Sequence, residues 1–395
     1  MKKSLLALAS GAFVLGACEF VMMGILPQTA AAMRVSIPFA GNFISSYALG
    51  VCVGTLMLII GRKQPPNRLI ILFMALALIG NALSAGATNA GMLLIARFIA
   101  GFPHGAFFGT AVLISKVLAE PGREARDVSI TITGQTVANM LGVPAGTLLA
   151  EHFSWRLAFL VLAGWAAMTL VLSIVWIPVI APVRDTGMVG QFRFLRKPGP
   201  WMILGAVFTG NAGIFCWWSY VSPWLTNVGG YSTPTVPWMM MLAGFAMVVG
   251  GLISGRITDV WKCAATAGLG QIIGCIGLVL VFVVPGNRIS TGVLTFVIAF
   301  GLFFVSTPQQ LLMTQAGQGG GELLGGATVQ IAFNFGNAVG SFVGGRMLDA
   351  SAMNYHYPAL GGVPLALTAV LLLFVYSHRY EQDTDALARL QPIDA

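Results

Sequence analysis

The sequence predicts an all-α integral membrane protein of twelve transmembrane helices in two pseudo-symmetric six-helix halves. Three observations carry that prediction: the chain is too apolar for water, its apolar runs have membrane length, and a polar pattern in its first half recurs in its second. Only 9% of the 395 residues are charged and 57% are hydrophobic, where soluble domains carry roughly 25% charged residues. A water-soluble globule is excluded.

Runs of 18 or more apolar residues span a hydrocarbon core as helices. Long runs without two-residue alternation do not suit a barrel, and in lipid the backbone must satisfy itself. Taken in order, the windows are 4–30, 40–60, 69–88, 91–116, 129–150, 155–178, 201–226, 236–256, 264–284, 291–313, 323–347 and 359–377. The first begins like a secretory signal, with Lys2-Lys3 and then Leu15-Gly16-Ala17-Cys18. It continues through FVMMGIL to Pro27, so it is expected to stay as a span. The fourth is unusual in carrying Arg97 amid apolar neighbours, with His104 seven residues on and almost on the same face.

Charge sets the orientation. Sixteen of the 21 Lys and Arg residues fall on the N-terminal side of the predicted spans. Arg34, Arg156, Arg288 and Arg346 fall on the other, and Arg97 lies within the membrane. An even number of spans puts both termini on one side, and the bias places them in the cytoplasm. The net charge of +8 is then loop charge. No basic run with interleaved aromatics points to nucleic acid.

The longest internal polar stretch, 181–199, divides the chain into halves at 1–180 and 200–377, with a solvated cytoplasmic tail at 378–395. Thr133-Gly134-Gln135 and Asn139 in helix 5 are echoed by Thr328-Val329-Gln330 and Asn334 in helix 11, and Gly54 by Gly250. A shared offset near half the chain length suggests a duplicated six-helix unit, a common transporter plan.

Several side chains could carry chemistry. Glu19 is the one acid deep inside a span, and a membrane-embedded carboxylate is functional by default. Whether it is charged depends on water access and nearby cations. Arg97 is the candidate cation, at a compatible depth. For His104 two readings stand: a satisfied core residue, or a proton relay or substrate contact. Helix 5 sets Gln135, Asn139, Gly142 and Gly146 on one stripe around Pro144, which suits either a tight helix seam or a bend. Gln330, Asn334 and Asn337 make a matching stripe on helix 11. Asn211, Phe215 and Trp218 share a face of helix 7, and helix 10 offers Gln309 and Gln310. Rings and amides together suit a sugar-sized or amphipathic ligand. Trp224, Trp238 and Trp261 read as interfacial anchors. The five cysteines, without a CxxC pair, read as core residues with no metal site. No nucleotide-binding GxxxxGK[ST] and no HExxH or nucleophile constellation is present, so the chain is not expected to be an enzyme.

Arg97 and Gly101 in helix 4, the Gly142-Val-Pro144-Ala-Gly146 turn in helix 5 and the twelve-helix plan resemble the major facilitator superfamily, within it the drug–proton antiporter branch. The stretches RFIAGFPHGAFFG, GNFISSYALGV, Ser154-Trp155-Arg156 and GELLGGATVQIAFNFG are similar to the arabinose-associated efflux permeases. The resemblance implies that Glu19 and Arg97 serve proton coupling and that helices 1, 4, 7 and 10 line a cavity. It also implies that Gly142, Pro144 and Gly146 help close the periplasmic side. Between helices 2 and 3 the family's acidic motif is replaced by GRKQPPNR, while GGLISGRITD after helix 8 keeps its acid, so cytoplasmic gating would either lean on Arg256 and Asp259 or be weaker in the first half. Ala100 stands where many drug antiporters have Gln.

The expectation is a proton-coupled exporter of a small molecule, a sugar such as arabinose or an amphipathic compound, working by alternating access. It would act as a monomer in a bacterial inner membrane, with no cofactor beyond the proton gradient. An uptake symporter of the same fold, a multidrug exporter and a non-transporting membrane sensor are the alternatives.

Overall fold

In the computed structural model of the protein, residues 2–61, 63–120, 123–181, 193–316 and 322–381 are described. The helices run in the predicted order. α1 is Lys3–Gly24, followed by a short piece, Leu26–Met33. α2 is Ile37–Thr55, with one further turn at Met57–Ile60, and α3 is Pro66–Ala85. α4 runs Ala90–Gly101 and resumes as His104–Leu118. α5 is Glu124–Val137, a π-turn at Ala138–Gly142, then Val143–His152, and α6 is Trp155–Trp176. In the second half, α7 is Pro198–Trp218 with Val221–Asn227, α8 is Val236–Val260 and α9 is Cys263–Val283. α10 is Arg288–Phe304 with Ser306–Ala316, α11 is Glu322–Ala350 and α12 is Tyr357–Arg379. Ten of these are long and apolar enough to cross a membrane. α5 and α11 do not meet that measure; they are the helices that carry the repeated amide pattern.

Proline explains where the helices break. Pro27, Pro103, Pro223 and Pro308 each lack the N–H that would bond the carbonyl four residues back. The chain breaks beside them, at Ile25, Phe102–Pro103, Ser219–Tyr220 and Val305. The helices broken beside these four prolines are α1, α4, α7 and α10, every third one in the chain. In membrane transporters such discontinuous helices surround the binding site.

Glycine sets the close contacts between helices. A Cβ on Gly54 would meet the Phe102 carbonyl, and one on Gly250 the Phe300 carbonyl, so the two echoed glycines do the same task in each half, seating α2 on α4 and α8 on α10. The halves meet along two seams. On one, α2 packs on α11, where the Ser45 hydroxyl donates to the Ala338 carbonyl at 2.8 Å and the Cys52 thiol faces the Ile331 carbonyl at 3.4 Å. On the other, α8 packs on the π-turn and outer half of α5, with Gly244 against the backbone of Asn139. At the end away from residue 2, Leu26–Met33 packs on Val221–Asn227. The halves are closed there.

Two expected boundaries shift. The linker expected at 181–199 lies outside the described residues from 182 to 192, and Pro198 already begins α7. The tail expected to be solvated from 378 begins inside α12. Glu381 is buried and accepts from the Ala264 amide and the Ser377 hydroxyl, both at 2.8 Å, so its carboxylate satisfies an orphan N–H at the start of α9. Residues 382–395 lie outside the described residues. Trp224 is no interfacial anchor: it is buried edge-on against Trp217, with centroids 4.8 Å apart. Trp238 and Trp261 are exposed.

Candidate functional site

Arg97 is completely buried on α4. Its Nη2 donates to the backbone carbonyl of Cys18 at 3.0 Å and its Nη1 reaches the Cys18 Sγ at 3.4 Å. The guanidinium also lies over the rings of Tyr47 at 4.4 Å and Phe159 at 5.4 Å. Carbonyl, thiol and two ring faces are what a desolvated guanidinium accepts when no carboxylate is in reach. The Cys18 thiol donates in turn to Asn81 Oδ1 at 3.1 Å. The cation is therefore fixed to the main chain of α1, one peptide from Glu19, with no direct ion pair between the two.

Glu19 binds elsewhere. Its Oε2 lies 3.6 Å from His104 Nε2, and its Oε1 accepts from Asn337 Nδ2 at 3.3 Å. Asn337 belongs to α11, so this bond joins the two halves. His104 continues the chain: its Nδ1 is 2.8 Å from Tyr47 Oη, which is 3.2 Å from the Leu15 carbonyl. Two proton placements satisfy these contacts. In one, Tyr47 donates to Leu15 and receives from His104 Nδ1–H, leaving Nε2 bare toward Glu19. In the other, Tyr47 donates to Nδ1 and Nε2–H points at the carboxylate. They differ by small proton shifts along one line of groups, which is what a relay requires.

The other candidates divide. Asn139 and Trp218 line a crevice between the halves with Phe20 and Met240. Phe215 is buried and tilts against Phe20 and Phe333, each at 6.2 Å. Asn211 and Asn334 are buried, but each donates to the carbonyl one turn back on its own helix, Val207 and Gln330. Gln310 is half-buried beside Gly326 on the terminal side and stands apart from the Glu19 cluster. In α5, Gly142 seats against Phe13 and Ala17, and Gly146 against Val21, so these glycines form the seam with α1. Pro144 gives the neighbouring π-turn a cause, since it has no N–H for the Met140 carbonyl. Arg256 and Asp259 are exposed, and neither has an ion-pair partner among the described residues.

Sequence reasoning missed Tyr47 and the Cys18 carbonyl as members of the site, and placed Asn337 only in a stripe. Tyr47 had a signal, a polar ring mid-span in ISSYALG. A backbone carbonyl has none.

Residues 8–325 match the family described as Major Facilitator Superfamily. The chain is 40% identical to "Putative transporter AraJ" of Escherichia coli (strain K12), covering 98% of this chain and 99% of that one. It is 31% identical to "Inner membrane transport protein YdhP" of the same strain, over 97% and 98% of the two chains. Among solved structures, a D-xylose-proton symporter superposes with a TM-score of 0.73 at 15% identity, covering 93% of this chain and 96% of that one. A bacterial homologue of the human lysosomal transporter Spinster, in an inward-facing and unoccupied conformation, gives 0.68 at 17%, over 99% and 98%. These two show the fold alone. With its broken helices, its two docked halves and a family match over most of its length, this multi-pass membrane chain belongs to the Major Facilitator Superfamily of transporters.

Proposed function

We propose that the protein is a proton-coupled exporter of a small neutral molecule, with Glu19 as the proton-carrying group. The observation that supports this most directly is the bond from Glu19 to Asn337. An ionised carboxylate accepts from Asn337 through Oε1 and faces His104 Nε2 at 3.6 Å through Oε2. A protonated one either loses the bond from Asn337, with the proton on Oε1, or points Oε2–H at a bare His104 Nε2 and keeps that bond without its charge assistance. Taking up a proton thus alters a bond that holds the halves together, and alternating access is the parting of those halves. Arg97, held on the Cys18 carbonyl, supplies a fixed positive charge beside the carboxylate. His104 and Tyr47 give the proton a path along α2 and α4.

The basic bias of the terminal side supports a cytoplasmic location for both termini. Export rather than uptake is favoured by the Gly142-Val-Pro144-Ala-Gly146 motif of α5. The central test is Glu19→Gln in proteoliposomes. The variant should keep substrate exchange at equal concentrations and lose accumulation driven by an imposed pH gradient. Wild-type-like accumulation by the variant would remove Glu19 from coupling. Everted vesicles, accumulating substrate only for an exporter, check the direction.

A further inference from the structure

The Glu19 network makes no use of Asn139, a buried amide on α5 whose Nδ2 and Oδ1 both lack a partner among the described residues. Buried amides without partners are costly and uncommon, and each one calls for a cause. Trp218, also buried, faces the same crevice with its own Nε1–H unpartnered among the described residues. Three hydrogen-bonding atoms, two donors and one acceptor, are thus held ready in one place. Asn139 also sits on the π-turn Ala138–Gly142, a widened turn of the kind found at functional sites.

The walls define what would satisfy those atoms. The crevice takes Phe20 and Met23 from the first half and Met240 and Met247 from the second. Thioethers and rings make adaptable, polarisable surfaces for flat apolar groups. Its lining holds no charged side chain and no hydroxyl. The remaining void is about 10 Å³, room for one water at most. Because the walls belong to both halves, parting the halves widens it.

We infer that this crevice is a binding site for a neutral, mainly apolar aromatic compound with one donor–acceptor group, seated on Asn139 and Trp218. This deepens the transport reading and rests on it. A pentose would bury several hydroxyls against methionine and phenylalanine with three polar atoms to meet them. An organic cation would find no acid in the walls, Glu19 being engaged with His104 and Asn337.

The test uses the full chain in lipid nanodiscs and para-(hydroxymethyl)benzophenone, a neutral photoreactive probe with two rings, a carbonyl and a hydroxyl. Irradiation followed by peptide mass spectrometry should place adducts on Met23, Met240 and Met247. Excess acetanilide should suppress them, whereas L-arabinose and benzyltrimethylammonium should not. Asn139→Ala and Trp218→Phe, which each delete polar atoms from the seat, should lower labelling about fivefold, the value of one hydrogen bond. Adducts confined to exposed methionines such as Met168 would overturn the inference, as would suppression by arabinose in place of acetanilide. Failure of labelling in a protein that still couples transport to pH sinks this site alone, and normal labelling with coupling intact in Glu19→Gln sinks the coupling role alone.

Discussion

A charge in a membrane-spanning helix needs a partner, and the two charges here solve that need differently. Arg97 uses the main chain of α1, together with two aromatic faces. Glu19 uses neutral hydrogen-bonding side chains, one of them from the other half of the molecule. The Asn337 contact therefore has energetic meaning for the transport cycle. While Glu19 is ionised, a hydrogen bond to it contributes ~1.5–3 kcal/mol, and this one exists only while α11 stays docked on the first half. Asn337→Ala should shift the population at least tenfold toward the state parted at the end away from the termini. Spin labels at Arg34→Cys and Ser232→Cys, on loops at that end, should report a longer distance. An unchanged distribution would show that the bond has no part in closure.

Among the elements, the breaks in α1, α4, α7 and α10 were legible in outline, because Pro27, Pro103, Pro223 and Pro308 announce them. The glycine and amide stripes of α5 and α11 were legible as stripes. What each stripe faces was not. Gly142 and Gly146 seat α1, while Asn139, on the same helix, turns toward α8 through a π-turn that no periodicity reveals. The Glu19–Asn337 pair, 318 residues apart, exists only after two separately patterned halves dock. Spacing within a helix predicts faces; docking decides partners. Gly244 is the element-scale test. A side chain there would meet the backbone of Asn139 and Met140, and overpacking of this kind typically costs ~1–3 kcal/mol. Gly244→Val should slow transport several-fold while leaving membrane insertion intact, whereas the same change at Gly251, which has open space around it, should be neutral in the flux assay.

Across the whole molecule, the two seams are counterparts. Asn139 of α5 meets α8, and its echo Asn334 lies on α11, which meets α2. Only the first seam carries the π-turn, so the halves share a plan without sharing a binding surface. In the proposed cycle, rocking requires both seams to slide. A disulfide formed between Ser45→Cys and Ala338→Cys should stop transport in oxidised vesicles and release it on reduction. Continued flux in the oxidised protein would mean that α2 and α11 move as one body. The native thiols bear on that chemistry. Cys52 lies on the same seam and would compete for the engineered partner, so a cysteine-depleted background is needed. Cys18 is the thiol whose removal looks most dangerous, since Arg97 leans on it. Yet the stronger of the two contacts is to its carbonyl, which any residue at position 18 would supply. Serine there keeps a hydroxyl for Asn81 as well, and so a labelling-ready form of this transporter can be made without unseating its buried charge.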